Sequence, residues 1–128
     1  LTREGLIACK ELKKDLVETN VTLCFSAAQA VMAAKAGATY ISPFVGRLND
    51  NSFSGVELVR AISGLYCTQG VKTKILAASL RDVHHVSRCL MYGANVVTLP
   101  TKVFDKMYNH VLTDAGLAIF EEDFKNIT

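Results

Sequence analysis

The chain switches between helix-like and strand-like stretches in strict alternation, and that order limits the folds open to it. Residues 3–18 read as an amphipathic helix, with Leu6, Ile7, Leu12 and Leu16 on one side and Lys10, Lys13, Lys14 and Glu18 on the other. Thr2 is placed to cap it and Glu4 to favour its first turn. Val21–Phe25 is a short apolar run suited to a strand covered on both faces. Ser26 then caps a helix over 27–36 that stops at Gly37. Strands are predicted at 39–44, 74–78 and 95–99. Helices are predicted at 56–68, 82–92, 101–108 and 113–125. The polar stretch 45–55 is read as a loop. Helix-then-strand alternation of this kind predicts right-handed βαβ units and a parallel sheet.

An internal echo supports repetition. Gly37-Ala38-Thr39-Tyr40-Ile41-Ser42-Pro43 resembles Gly93-Ala94-Asn95-Val96-Val97-Thr98-Leu99-Pro100. In each, a helix ends at glycine and a strand ends near proline. The capping residues Ser26 and Asp82 stand at the same distance before their glycines. A barrel built by repetition and an open doubly wound sheet both fit this pattern.

Composition narrows the function. Half of the 128 residues are hydrophobic, enough for a packed core in one domain spanning 1–128. Lys+Arg 14 against Asp+Glu 12 gives +2, with the cations scattered, so no nucleic-acid partner is expected. No apolar stretch is long enough to span a bilayer, and the first residues do not read as a signal peptide, so no membrane partner is expected either. Cys9, Cys24, Cys67 and Cys89 show no metal-ligand spacing and read as buried reduced thiols of a cytosolic protein. The sequence opens without Met and already at the entrance of a helix, as if in the middle of a longer protein.

Ligands of parallel α/β sheets bind at the carboxyl ends of the strands. There the sequence places Phe25, Ser26 and Gln29, then Ser42, Phe44 and Arg47, then Ser79 and Arg81, then Thr101 and Lys102. Arginine offers a planar fork of donors suited to phosphate, and serine a short hydroxyl donor. An arginine at such a place is otherwise solvated or paired with a nearby acid such as Asp50. His84 and His85 read as ordinary positions of an amphipathic helix.

Three segments carry a family resemblance: Asn20-Val21-Thr22-Leu23-Cys24-Phe25-Ser26-Ala27-Ala28-Gln29-Ala30, then Gly37 through Leu48, then Ile75-Leu76-Ala77-Ala78-Ser79-Leu80-Arg81. In order and spacing they resemble transaldolases, and Ile41 to Arg47 is the most specific part. The likeness is nearest to the short subfamily that includes fructose-6-phosphate aldolases, and it covers essentially the whole chain. It implies an α/β chain forming the C-terminal half, strands 5–8, of a (β/α)8 barrel of the class I aldolase type. The implied reaction moves a dihydroxyacetone unit between sugar phosphates through a lysine imine, without metal or organic cofactor.

By matched position, Arg47, Ser79 and Arg81 resemble the phosphate-holding residues. Ser42 and Asn20 resemble residues that touch the dihydroxyacetone unit. Thr22 resembles the threonine that positions a proton-carrying water. Phe44 stands where transaldolases have Phe and the aldolases a catalytic Tyr, which favours the transferase. The imine lysine of the family is expected just before Leu1. Lys72 and Lys74 enter their strand at the wrong rim, and Lys102 is expected to face solvent. The resemblance also implies a homo-oligomer, ring-like, packed through the C-terminal helix with its apolar Leu117, Ile119, Phe120 and Phe124. Half a barrel would leave inner-face residues, expected to be Thr22, Ile41 and Leu76, open to water.

Overall fold

A computed structural model describes residues 1–127. The elements run α1 (Arg3–Lys14), β1 (Asn20–Cys24), α2 (Ala27–Lys35), β2 (Tyr40–Pro43), α3 (Val45–Asp50), α4 (Gly55–Thr68), β3 (Lys74–Ala77), α5 (Val83–Met91), β4 (Val96–Val97), α6 (Thr101–Lys106) and α7 (Val111–Ile127). The four strands form one sheet in the order β1-β2-β3-β4. Every pairing is parallel, with Asn20 opposite Tyr40, Ile41 opposite Ile75 and Leu76 opposite Val96.

That order settles the architecture. Each crossover advances the sheet by one strand in the same direction. Right-handed crossovers then place every connecting helix on the same side. A doubly wound sheet would reverse its strand order at a switch point, and this one does not. The fold is α/β with a singly wound parallel sheet of four strands, as half of a (β/α)8 barrel requires.

The helix-covered face holds the core. Cys24, Ile41, Ile75 and Ala77 project from the strands against Ala30, Ala33, Val59 and Ile62 of α2 and α4. The Tyr66 hydroxyl of α4 donates to the Ala30 carbonyl of α2 at 2.7 Å, tying the two helices together. Alternate residues of the same strands turn to the other face, with a bulge at Leu23 (φ 58°) resetting the phase of β1 before Cys24. There Asn20, Thr22, Lys74 and Val96 are exposed and Tyr40 and Leu76 half-buried. Thr22 and Leu76 thus lie on the uncovered face as expected. Ile41 does not: it is fully buried under the helices, and Ser42 takes the inner face. Nor is the first strand covered on both sides, since Thr22 and Leu23 are exposed.

The capping residues behave as the sequence predicts. Thr2, Ser26 and Asp82 accept backbone N–H bonds at the starts of α1, α2 and α5. Gly37 (φ 85°) and Gly93 (φ 102°) each follow a helix in the left-handed conformation that glycine adopts without penalty. Three segments depart furthest from expectation. The first helix stops at Lys14, because Leu16 adopts φ 59° and the Val17 N–H turns back to the Leu12 carbonyl at 3.0 Å. That bond and the one from Leu16 N–H to Lys13 form a Schellman closure, so Leu16 leaves the apolar stripe and is exposed. The last strand is only Val96–Val97. The expected loop 45–55 contains α3, whose Val45, Gly46 and Leu48 pack inward.

Cys9, Cys24 and Cys89 are buried free thiols, but Cys67 is exposed. Burial raises the Cys24 thiol pKa, partly offset by a backbone hydrogen bond at Ser26 that favours the thiolate. Burial also raises that of Cys89, from 9.0 to about 11. No helix among the described residues is long and apolar enough to cross a membrane. None of the residues of α7 is buried, so Leu117, Ile119, Phe120 and Phe124 are uncovered within this chain.

Candidate active site

The expected site residues fall into two groups, one on the open face of the sheet and one on its carboxyl rim. On the open face, Asn20 and Thr22 are alternate residues of β1, and Ser42 is the adjacent inward position of β2. The Ser42 hydroxyl donates to the Asn20 side-chain oxygen at 2.8 Å. Ser42 is the one buried polar side chain of the described core, at 2% exposure. Its proton is therefore satisfied, while the Asn20 amide N–H groups remain available as donors on the exposed side. That suits a ligand presenting hydroxyl or carbonyl oxygens. The Leu1 ammonium donates to the Thr22 carbonyl at 2.9 Å, so the start of the chain runs beside Thr22.

The rim group is built by α3. Immediately after β2, Phe44 bridges to Ala78, and the backbone then turns into the helix. The Val45 and Gly46 N–H groups donate to the Ala78 and Ser79 carbonyls at 3.0 and 2.9 Å. These bonds carry the β2–β3 pairing beyond the sheet and press α3 onto the segment after β3. Gly46 makes the approach possible: a Cβ there would stand 2.1 Å from the Ser79 carbonyl oxygen and 3.1 Å from Arg81 Nε. Ser79 itself holds the left-handed conformation, φ 58°, uncommon for serine. Strained backbone of this kind clusters at functional sites.

Ser79 and Arg81 line one hollow of about 420 Å³ together with Leu80, Thr98, Leu99 and Pro100. Arg81 is paired: its NH1 donates to Asp50 Oδ1 at 2.6 Å and also to Oδ2. The acid named by the sequence as a possible mate is therefore its partner. Arg47 is not among the residues lining this hollow. Its guanidinium lies over the Phe44 ring, 5.0 Å from the centroid, and Phe44 in turn meets Phe25 edge-on at 5.8 Å. The structure thus brings Ser79 and Arg81 together, and Asn20 with Ser42, and keeps Arg47 on an aromatic shelf one residue from Gly46. Sequence reading missed the role of Gly46, whose signal was a small residue directly before an arginine in an apparently polar loop.

The lysines follow expectation. Lys72 and Lys74 line a separate hollow of about 510 Å³ with Lys13 and Lys35, reached from the amino ends of the strands. Lys102 is exposed on α6. A larger groove of about 610 Å³ lies between α1 and α2 on the helical side, and of the residues expected at the strand ends it is lined by Gln29 alone. With its walls chiefly apolar and no serine, threonine–asparagine pair or strand end converging on it, the groove is a poorer ligand site than the rim.

Comparisons with known proteins bear on the family and the fold. A probable transaldolase of Caulobacter vibrioides is 54% identical over 97% of this chain and 57% of its own length. One from Brachyspira hyodysenteriae is 48% identical over 99% of this chain and 58% of its own. The chain thus spans somewhat under three-fifths of the curated relatives it matches. Among solved structures, a flavocytochrome b2 variant with sulfite bound matches with TM-score 0.60 and 20% identity, over 77% of this chain and 26% of that one. A GMP reductase from Trypanosoma brucei matches with TM-score 0.61 and 22% identity, over 80% and 24%. At such identities the likeness is of fold alone. The family model described as transaldolase/fructose-6-phosphate aldolase matches residues 1–128, and the chain belongs to that family.

Proposed function

We propose that this chain is the C-terminal half, strands 5–8, of a (β/α)8 transaldolase, and that it supplies the sugar-phosphate-binding half of the active site. In the complete protein a lysine amine attacks the ketose carbonyl and expels water to form an imine. The adjacent C–C bond then breaks, with the imine taking up its electron pair. The resulting dihydroxyacetone carbanion adds to the aldehyde of an acceptor sugar phosphate. On this chain, Asn20 and Ser42 hold the dihydroxyacetone hydroxyls and Thr22 positions the water that carries protons. Ser79 and Arg81 hold the phosphate, joined by Arg47 once it swings off Phe44. A Phe at position 44 has no hydroxyl to move a proton, which favours transfer over simple aldol cleavage.

The observation that carries the reading is the pairing of two unlike surfaces on adjoining strands. Neutral donors lie on the open face, and a serine–arginine hollow lies at the carboxyl rim. A phosphorylated polyol has the same two-part chemistry. The uncovered α7 face fits packing against a second copy, as in a homo-oligomer of a cytosolic enzyme.

The test is an assay of the full-length protein with fructose 6-phosphate. Transfer to erythrose 4-phosphate is expected. Release of free dihydroxyacetone instead would identify the aldolase activity. A second reading, that the 128-residue chain alone binds phosphosugars without turning them over, is favoured by the absence of a lysine from the Ser79–Arg81 hollow. Borohydride reduction with substrate is then expected to trap no adduct on the isolated chain, and a stable adduct would refute it.

A further inference from the structure

Arg81 stands in a short connection after β3, and its pairing is confined to one corner of the guanidinium. NH1 reaches both carboxylate oxygens of Asp50, the last residue of α3. No described residue is hydrogen-bonded to its Nε–H or NH2. Guanidinium has five N–H donors in a rigid fork, so one corner can be held while the other edge receives a second anion. Gly46 keeps Nε uncovered, since a Cβ there would stand 3.1 Å from it.

From this we infer that Asp50 is a positioning residue: it holds Arg81 by NH1 so that the Nε–NH2 edge is set for an anionic oxygen pair at the rim. The inference rests on the phosphate-binding reading of Ser79 and Arg81. Two features favour positioning over competition. The carboxylate does not occupy the bidentate edge that a phosphate would use. Both partners are also about half exposed, at 53% and 51%, so solvent screens the repulsion between Asp50 and an incoming anion. What Asp50 contributes is order. A free arginine side chain must lose its rotamer freedom on binding, whereas a pinned one has already lost it.

The same logic joins the two ends of α3. Val45 and Gly46 fix its start against Ala78 and Ser79, and Asp50 fixes its end against Arg81. The helix is a brace between β2 and the rim segment after β3.

The test uses the full-length protein with Asp50→Asn and Asp50→Glu. Asparagine is expected to raise KM for fructose 6-phosphate by about threefold to tenfold, the scale of ordering one long side chain. The expected kcat is within about twofold of wild type, because the group acts through binding. Kinetics with unphosphorylated dihydroxyacetone should be unchanged, and Asp50→Glu should recover part of the loss. A merely structural role would weaken both substrates together, and that result overturns the inference. Inorganic phosphate, titrated calorimetrically, gives a readout independent of turnover. Its affinity should fall in Asp50→Asn and be lost in Arg81→Ala. Unchanged or tighter phosphate binding in Asp50→Asn, or no phosphate binding by wild type, also overturns it. If wild type binds phosphate through Arg81 yet turns over no sugar phosphate, the transaldolase reading fails while the role of Asp50 stands.

Discussion

The two faces of one sheet differ more than any two elements of the molecule. On the helical side, Cys24, Ile41, Ile75 and Ala77 are sealed against α2 and α4, with exposures of 0–2%. On the open side, alternate positions of the same strands carry Asn20, Thr22, Ser42 and Lys74. A parallel strand buried on both faces is ordinarily apolar throughout. Here the polar set falls on one phase of the pleat, which separates residues kept for packing from residues available for binding. Among the described residues of this face, Ser42 combines burial with polarity, and its hydrogen bond to Asn20 satisfies it.

Substitutions in the full-length protein can break this division. The largest stability loss is expected from Gly46→Val at the junction of the two regions. Its Cβ would collide with the Ser79 carbonyl at 2.1 Å, so α3 would have to lift off the rim. Loss of folding, or at least about 3 kcal/mol by urea unfolding, is expected from an overpacked contact with backbone. Ile62→Ala on the helical side should cost about 2–5 kcal/mol. Thr22→Val on the open side should change stability by roughly 0.5 kcal/mol or less while lowering kcat. Comparable stability losses for these two would erase the distinction between the faces.

A smaller effect is expected with pH. Cys89 is fully buried and its thiol titrates near 11 instead of 9.0. The folded state holds its proton more tightly than the unfolded state. Stability from this group is therefore complete below pH 9 and lost as pH rises toward 11, by about 2–3 kcal/mol at most. Cys89→Ala should flatten that alkaline slope in denaturation curves taken from pH 8 to 11.

Much of the division was legible in the sequence, and the failures have physical causes. Element order was readable because glycines in left-handed conformation and side-chain caps punctuate the chain at Ser26, Gly37, Asp82 and Gly93. The helix α3 was not, because six residues give too little periodicity and Asn49, Asp50 and Asn51 look like a turn. What folds it is tertiary: Val45 and Leu48 pack inward, and the Asn49 side chain accepts from Gly55 N–H at 2.9 Å. The face of Ile41 was misread because Tyr40-Ile41-Ser42-Pro43 has no clean alternation to fix its phase. Ser79 and Arg81 could be gathered at one rim from topology alone. The resting place of Arg47 on Phe44 depends on a side-chain choice that sequence order does not encode.

The most direct test of the central claim is Arg81→Ala in the full-length protein, assayed with phosphorylated and unphosphorylated substrates side by side. Losing charge-assisted hydrogen bonds to phosphate predicts a fall in kcat/KM of about 10- to 100-fold for fructose 6-phosphate, with little change for dihydroxyacetone. Equal losses for the two would contradict a phosphate site at this rim.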